Sequence, residues 1–313
     1  MLPVMRLEPQ YHERVWGGHR LRRVRRPTGE VWVVHEANRI TGGTFNGLTL
    51  GNVVRQHGAA LLGESVQARF GPAFPLLIKL IDTADWLSIQ VHPDDRQARA
   101  LEGPEATGKT EAWHVLEARP EGRLIAGLQT PLEAEEIKAA IHNGTIINHV
   151  CYQPVRDGDN LFIPPGTLHA LGPGLLIYEV QQPSDITYRI FDWNRPVSAD
   201  RPLHITQSLA VLDPTIEVTP EPLATSESGG RKTAITCPYF TLETLSMNGS
   251  AIHANTGGKT FHALTVAAGS VAVSGDGWRE DLERYESLLL PASIGAYAMT
   301  SSGSSRILRA RVP

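Results

Sequence analysis

Residues 158–169 read GDNLFIPPGTLH, and this short stretch decides the fold class. Its glycines, proline and histidine follow the spacing G-x5-P-x-G-x2-H. The apolar run at residues 161–163 predicts a buried strand, and the Pro-Gly step after it predicts a tight turn. The chain then returns with His169 facing inward. A strand, a turn and an inward polar side chain are typical of a β-barrel that encloses a site.

Short β patterns of the same kind recur along the chain, separated by many of its 29 glycines and 22 prolines. They alternate with period two or are continuously apolar, which predicts half-buried or buried strands in a sandwich or barrel. The predicted strands are residues 30–35, 75–81, 86–92, 160–163, 175–180, 240–245, 260–267, 270–273, 287–290 and 306–312. Only residues 50–63 and 130–143 show a clear helical pattern; in the second, Thr130 is the expected N-cap and Pro131 the first helical residue.

Composition excludes several classes of protein. The 313 residues carry 29 basic and 33 acidic side chains, a net charge of −4, which argues against a protein that coats nucleic acid. The first residues show no apolar run before their first charges, so we expect no secretory signal. No apolar run is long enough to predict a membrane-spanning helix. The two cysteines, Cys151 and Cys237, cannot form a disulfide framework, so we expect a reduced, cytoplasmic setting. Five arginines lie within residues 20–26. They predict either a patch that binds an anionic surface or a solvated loop, and the net negative charge of the chain favours the loop.

A second polar stretch, residues 87–95 (LSIQVHPDD), predicts side chains that point into the same barrel. On a strand, Ser88, Gln90 and His92 share one face, while Leu87, Ile89 and Val91 occupy the other. Buried polar groups need partners, and a metal ion is one such partner.

Together with Glu111 of the sequence GKTE (residues 108–111), these stretches supply the ligand types of a metal site. Gln90, His92, Glu111 and His169 offer an amide oxygen, a carboxylate and two imidazoles. This set suits Zn²⁺ and is also compatible with Fe²⁺, Mn²⁺ or Co²⁺. The four ligands carry a charge of −1, so a site with a divalent ion has a net charge of +1. This charge favours binding of a water molecule or a substrate oxygen to the ion.

Several motifs, taken in order, resemble those of the type I phosphomannose isomerases, in their short bacterial form, within the cupin superfamily. They are SIQVHPDD (88–95), GKTEAWHVL (108–116), PPGTLHAL (164–171) and EVQQPSDITYRIFDW (179–193), with support from ERVWGG (13–18), GEVW (29–32) and PLLIKLID (75–82). The resemblance runs from about residue 11 to about residue 212. It is weaker in the C-terminal part, where LLLPASIGAYAM (288–299) carries it.

The resemblance implies a mainly β fold of two cupin-like jelly-roll barrels with a few short helices. It implies a catalytic, metal-binding domain over residues 1–213 and a C-terminal β domain without metal over residues 214–313. It also implies one zinc ion per chain, with the ligand set Gln90, His92, Glu111 and His169.

The family reaction interconverts mannose 6-phosphate and fructose 6-phosphate, and the resemblance assigns residues to it. Lys109 and Arg189 fall on catalytic and substrate-binding positions, and Ser88 and Lys79 on substrate-binding positions. Glu179 and Asp185 are the candidate groups for proton transfer, and the sequence does not decide between them. A purely structural role also stays open for Lys79 and for Arg189, since each could pair with a structural carboxylate.

We therefore expect a cytoplasmic, zinc-dependent isomerase that acts on a small sugar phosphate without a nucleic-acid or membrane partner, as a monomer or weak homo-oligomer. Two alternatives remain at this point: another metal-dependent cupin enzyme, such as an iron dioxygenase, and a sugar-phosphate-binding cupin without activity. An oxygenase has no need of phosphate-binding residues such as Lys109 and Arg189. Intact ligands and base candidates argue against a binding protein.

Overall fold

The structure is a computed structural model that describes residues 1–196, 201–223 and 230–313. Strands dominate it, as predicted. In chain order they are β1 (Arg6–Leu7), β2 (Gln10–Gly18), β3 (Thr28–Val34), β4 (Ile40–Thr41), β5 (Leu77–Asp82), β6 (Ile89–Val91), β7 (Glu111–Ala118), β8 (Arg123–Leu128), β9 (Val150–Pro154), β10 (Asn160–Ile163), β11 (His169–Leu171), β12 (Leu175–Gln181), β13 (Tyr188–Phe191), β14 (Gly230–Thr236), β15 (Thr241–Asn248), β16 (Ile252–Asn255), β17 (His262–Ala268), β18 (Val271–Gly275), β19 (Trp278–Leu282), β20 (Ser287–Leu290), β21 (Ala296–Thr300) and β22 (Ser304–Arg311).

The helices are short. They are α1 (Leu50–Leu62), α2 (Glu64–Phe70), α3 (Asp95–Glu102), α4 (Ala134–His142) and α5 (Ile205–Val211). Helix α4 begins later than predicted, because Glu133 and Glu136 form a capping box in place of a cap at Thr130. Among the described residues, no helix combines the length and apolar character needed to cross a membrane.

The chain forms two compact units, and each draws on more than one segment. One contains residues 11–31 and 80–222, and the other contains residues 1–10, 32–79 and 223–313. We call them the metal-centre unit and the C-terminal unit. This contact-based division gives residues 32–79 to the C-terminal unit, unlike the division at 213/214 that the sequence suggested. The latter stays a prediction about domains.

In the metal-centre unit, two sheets enclose a common core. The strand orders are β10-β7-β12-β5-β3-β2 and β13-β6-β11-β8-β9. Residues 32–34 of β3 and 77–79 of β5 belong to the C-terminal unit, so these two strands cross the division between the units. Buried side chains from both sheets, including Trp113, Leu124 and Leu171, form one apolar cluster between them. On the outer face of the second sheet, Ile89 and Val91 pack in another cluster with residues of α4 and α5. Because Ile89 and Val91 pack on the outer face, the side chain of Gln90 between them points into the barrel.

The C-terminal unit repeats the arrangement with orders β14-β15-β22-β17-β20 and β16-β21-β18-β19. Leu264 and Ile307 of its first sheet share a core cluster with Val273 and Met299 of its second. In both units the sheets face each other without joining into one closed sheet, as in a jelly roll. The predicted class, mainly β with two cupin-like units and short helices, is confirmed.

The arginine-rich stretch lies in the loop between β2 and β3, where all five arginines are exposed. Arg20 donates from Nε to Asp82 at 2.7 Å, and Arg26 forms an ion pair with Glu13 at 3.1 Å. The guanidinium of Arg22 lies 4.8 Å from the ring centroid of Tyr11. The stretch therefore forms a solvent-exposed loop.

Candidate metal centre

The centre is built around β6, a strand of only three residues. Gln90, its middle residue, pairs in register with His169 of β11 on one side and with Arg189 of β13 on the other. The predicted strand over residues 86–92 is too long, so Ser88 and His92 flank β6 rather than belong to it. Leu87 lies in the apolar cluster between the sheets, and Ile89 lies in the outer one, so the expectation that they share a face is wrong.

Three buried side chains meet at this point: His92, Glu111 and His169. Each is only 1% exposed. Nε2 of His92 lies 3.6 Å from Oε1 of Glu111, and Nε2 of His169 lies 3.6 Å from Oε2. Their potential ligand atoms all lie within 4.8 Å of one another. Glu111 comes from β7 in the first sheet, His169 comes from β11 in the second, and His92 directly follows β6 of the second. The group therefore bridges the two sheets.

Both histidines are oriented by backbone carbonyl groups. Nδ1 of His92 donates to the carbonyl oxygen of Ile186 at 2.8 Å, and Nδ1 of His169 donates to that of Thr167 at 2.9 Å. This tautomer leaves each Nε2 with a lone pair directed toward Glu111, which is the form that binds a metal. Burial lowers the pKa of His169 despite the nearby Glu111 carboxylate, so the neutral ring is favoured.

Gln90 and Lys109 complete the surroundings of the three residues. The amide nitrogen of Gln90, Nε2, lies 3.3 Å from Nε2 of His169. Because only an amide oxygen binds a cation, Gln90 would join the ligand set after a half-turn of its amide. The buried ammonium of Lys109 lies 2.8 Å from Oε1 of Glu111 and 3.3 Å from Nε2 of His92. The structure thus brings all four predicted ligands and Lys109 together.

Arg189 lies beside this group with its guanidinium held by two bonds. Nε donates to the hydroxyl of Ser88 at 3.2 Å, and Nη1 donates to the carbonyl oxygen of Pro202 at 2.9 Å. Ser88 in turn lies 3.5 Å from the Gln90 amide oxygen. Burial lowers the pKa of Arg189, and the positive charge of Arg201 acts in the same direction. The arginine remains a cation at neutral pH, with donors beyond these two bonds.

The two candidate carboxylates occupy different environments. Glu179 is buried inside the barrel on β12, where its Oε2 accepts a hydrogen bond from the Trp113 indole at 2.8 Å. The Trp113 ring also meets the His169 ring edge to face, with centroids 5.5 Å apart. Asp185 is exposed, in the loop between β12 and β13, directly before Ile186. The structure therefore places Glu179 within the core next to the histidine cluster and Asp185 at the surface.

Lys79 lies on β5 in the C-terminal unit. Its side chain is buried, and its ammonium lies 5.8 Å from the ring centroid of Trp32 in the same unit. Its substrate-binding role stays a prediction.

Sequence reasoning missed three contributors to the site. The carbonyl groups of Thr167 and Ile186 orient the histidines but leave no mark in the sequence, because any residue supplies a carbonyl. Trp113 lies two residues after Glu111 on β7, so the two side chains share the inward face of that strand, which the sequence analysis did not predict.

The chain is similar to proteins of one known family. The family described as phosphomannose isomerase type I, catalytic domain, matches residues 4–114. A mannose-6-phosphate isomerase from Streptococcus mutans is 33% identical over 304 residues, covering 93% of each protein. The crystal structure of the mannose 6-phosphate isomerase from Bacillus subtilis superposes with a TM-score of 0.87 at 27% identity, over 98% of this chain and 99% of that one.

A further structure, of a mannose 6-phosphate isomerase bound with zinc and yttrium, shares the fold with a TM-score of 0.76 at 18% identity, over 98% of both chains. The overall fold, the ordered motifs and the full-length relative at 33% identity agree with one another. The chain therefore belongs to the type I phosphomannose isomerases, a family of aldose–ketose isomerases.

Proposed function

We propose that this chain interconverts mannose 6-phosphate and fructose 6-phosphate through an enediol, with one zinc ion held by Gln90, His92, Glu111 and His169. The observation that carries the proposal is the buried convergence of two imidazoles and a carboxylate beside Arg189. Both histidines present an unprotonated Nε2, and the donor set is mixed nitrogen and oxygen, which fits zinc. The zinc-bound relative of the same fold supports this choice.

A zinc ion bound here would supply Lewis-acid stabilisation of negative charge on substrate oxygens, typically several kcal/mol. Lys109 supplies a second positive charge from the chain itself. Its buried ammonium lies beside Glu111, so an oxygen of the sugar that gains charge in the reaction would meet a cation with little water around it.

Arg189 is the proposed binding group for the phosphate or sugar end of the substrate. Its bonds to Ser88 and Pro202 fix the guanidinium plane before substrate arrives. A planar guanidinium can grip phosphate through two parallel hydrogen bonds, which a lysine cannot do. Binding energy from this remote end would hold C1 and C2 of the sugar in place for proton transfer.

The proton between C1 and C2 needs a base within hydrogen-bond reach, and Glu179 and Asp185 are the two proposed groups. Glu179 is held by the Trp113 indole, whereas Asp185 is exposed and directly precedes Ile186, whose carbonyl group orients His92. Both keep a place in the proposal until they are compared directly.

Metal analysis combined with a mannose 6-phosphate assay tests the proposal. We expect about one zinc ion per chain. Chelation should remove the zinc and abolish the formation of fructose 6-phosphate, and added zinc should restore both. Metal-replete protein that forms no fructose 6-phosphate would contradict the isomerase. Activity that survives complete removal of metal would contradict the zinc centre. The same experiment separates the isomerase from a binding protein on this fold.

A further inference from the structure

The C-terminal unit carries a second group of charged side chains on the inner face of its five-stranded sheet. Three arginines surround one carboxylate: Arg231 of β14 and Arg309 and Arg311 of β22 around Glu243 of β15. We call these four residues the Glu243 cluster. Side chains of Glu243 and Arg309 are each 3% exposed. Such burial of charge in a barrel core is costly unless each charge is paired.

All three arginines form ion pairs with the single carboxylate of Glu243, and Arg309 lies nearest to it. Nε and Nη2 of Arg309 each lie 2.8 Å from Oε2 of Glu243. Arg311 reaches the same oxygen at 3.4 Å, and Arg231 reaches Oε1 at 3.6 Å, beyond an ordinary hydrogen bond. Glu243 is therefore neutralised by Arg309, and two positive charges remain beside it.

Two polar neighbours of the cluster, Tyr297 and His262, are uncharged. The Tyr297 hydroxyl accepts from Nη1 of Arg309 at 3.3 Å and lies 2.7 Å from Nδ1 of His262. Burial raises the pKa of Tyr297, so it keeps its proton. Burial and the three arginines lower the pKa of His262 to about 3, so its ring is neutral at pH 7. Among the described residues the group as a whole carries a charge of +2.

The excess charge is accessible from solvent. The side chain of Arg311 is 29% exposed and that of Arg231, on an edge strand, is 61% exposed, whereas that of Arg309 is buried. Two guanidinium groups with unspent donors next to a buried third are suited to an anion with several oxygens. A phosphate monoester carries a charge close to −2 at neutral pH, which matches the excess.

From this arrangement we propose that Arg231 and Arg311 of the C-terminal unit form a second anion site, which takes a small dianion of the phosphate-monoester class. The site is separate in residues and in role from the proposed Arg189 site. Its occupant would neutralise the excess positive charge of the cluster and stabilise the C-terminal unit.

Binding of radiolabelled inorganic phosphate to the full-length, metal-containing protein tests this site by equilibrium dialysis at pH 8. The double variant Arg231→Gln/Arg311→Gln should lose one bound phosphate per chain while kcat/KM for mannose 6-phosphate stays unchanged. Lys232→Gln/Arg306→Gln is the matched control. It removes two charges from the same two strands at positions of the opposite parity, which face away from Glu243, and it should bind phosphate as the wild type does.

Two results would overturn the site: phosphate binding that is unchanged in the double variant, or an equal loss in the control. The single variant Arg231→Gln protects the test against misfolding, because this side chain is the most exposed of the cluster. It should weaken phosphate binding at this site about 10-fold, by loss of one charge-assisted hydrogen bond. The Arg189→Gln variant should remove only phosphate bound at the metal-centre unit, so failure of one site is distinguishable from failure of the other.

Discussion

His92 donates its Nδ1–H to the carbonyl oxygen of Ile186 at 2.8 Å. Ile186 follows Asp185 directly in the chain. The loop between β12 and β13 thus orients a proposed metal ligand and carries a proposed proton-transfer group. A shift of this loop would therefore change the direction of the His92 lone pair and the position of Asp185 together.

Replacement of His169 by alanine should remove the metal. The substitution takes away a neutral Nε2 donor at the junction of the two sheets, and we expect metal affinity to fall by at least about 100-fold. Zinc content after dialysis against a weak chelator measures the effect. His253→Ala, an exposed histidine on β16, is the control and should keep its zinc. Full zinc retention in His169→Ala would refute the assignment of this ligand.

Replacement of Arg189 by lysine should affect substrate binding and leave the metal in place. Lysine keeps the positive charge but loses the planar fork and the bonds that fix it to Ser88 and Pro202. We expect KM for mannose 6-phosphate to rise about 10-fold. Steady-state kinetics and zinc analysis on one preparation check both halves. A KM equal to that of the wild type would remove Arg189 from the substrate site.

The two candidate bases can be separated because their burial differs. Asp185→Asn changes an exposed side chain, so stability to urea should stay within about 0.5 kcal/mol of the wild type. If Asp185 transfers the proton, kcat should fall about 100-fold or more. If kcat of Asp185→Asn stays within twofold of the wild type, Glu179 is the proton-transfer group, and Glu179→Gln should show the fall in kcat. Because Glu179 accepts from Trp113, its variant should also be less stable.

The convergence of the proposed metal ligands could be predicted in part from local sequence patterns. The centre could be predicted because strand alternation and the tight turn before His169 place polar side chains inward, whatever the partners in the other sheet. The pairing of Gln90 with both His169 and Arg189 required knowledge of strand order. No local pattern reports it, since these strands are distant in sequence.

Long-range packing also explains what the sequence could not show. Residues 32–79 join the unit that contains the C-terminal strands, although Pro- and Gly-rich composition marks a connection only near residue 213. In the Glu243 cluster, Glu243 and Arg309 are cross-strand partners 66 residues apart. Each reads as an ordinary half-buried charge on an alternating strand until the register joins them.

His262 should make the protein sensitive to acid. Its folded pKa of about 3 lies below the usual value of 6.5, because burial and three arginines oppose protonation. Between these two values the unfolded chain binds the proton and the folded chain does not, so the free energy of unfolding falls as pH decreases from 6.5 toward 3. The contribution at pH 4.5 is roughly 2–3 kcal/mol.

His262→Gln can still bond to Tyr297 but does not titrate. Urea denaturation at pH 7 and pH 4.5 should therefore show a smaller loss of stability in His262→Gln than in the wild type, with both proteins stripped of metal. An equal loss in the two proteins would mean that His262 is protonated in the folded state at pH 4.5.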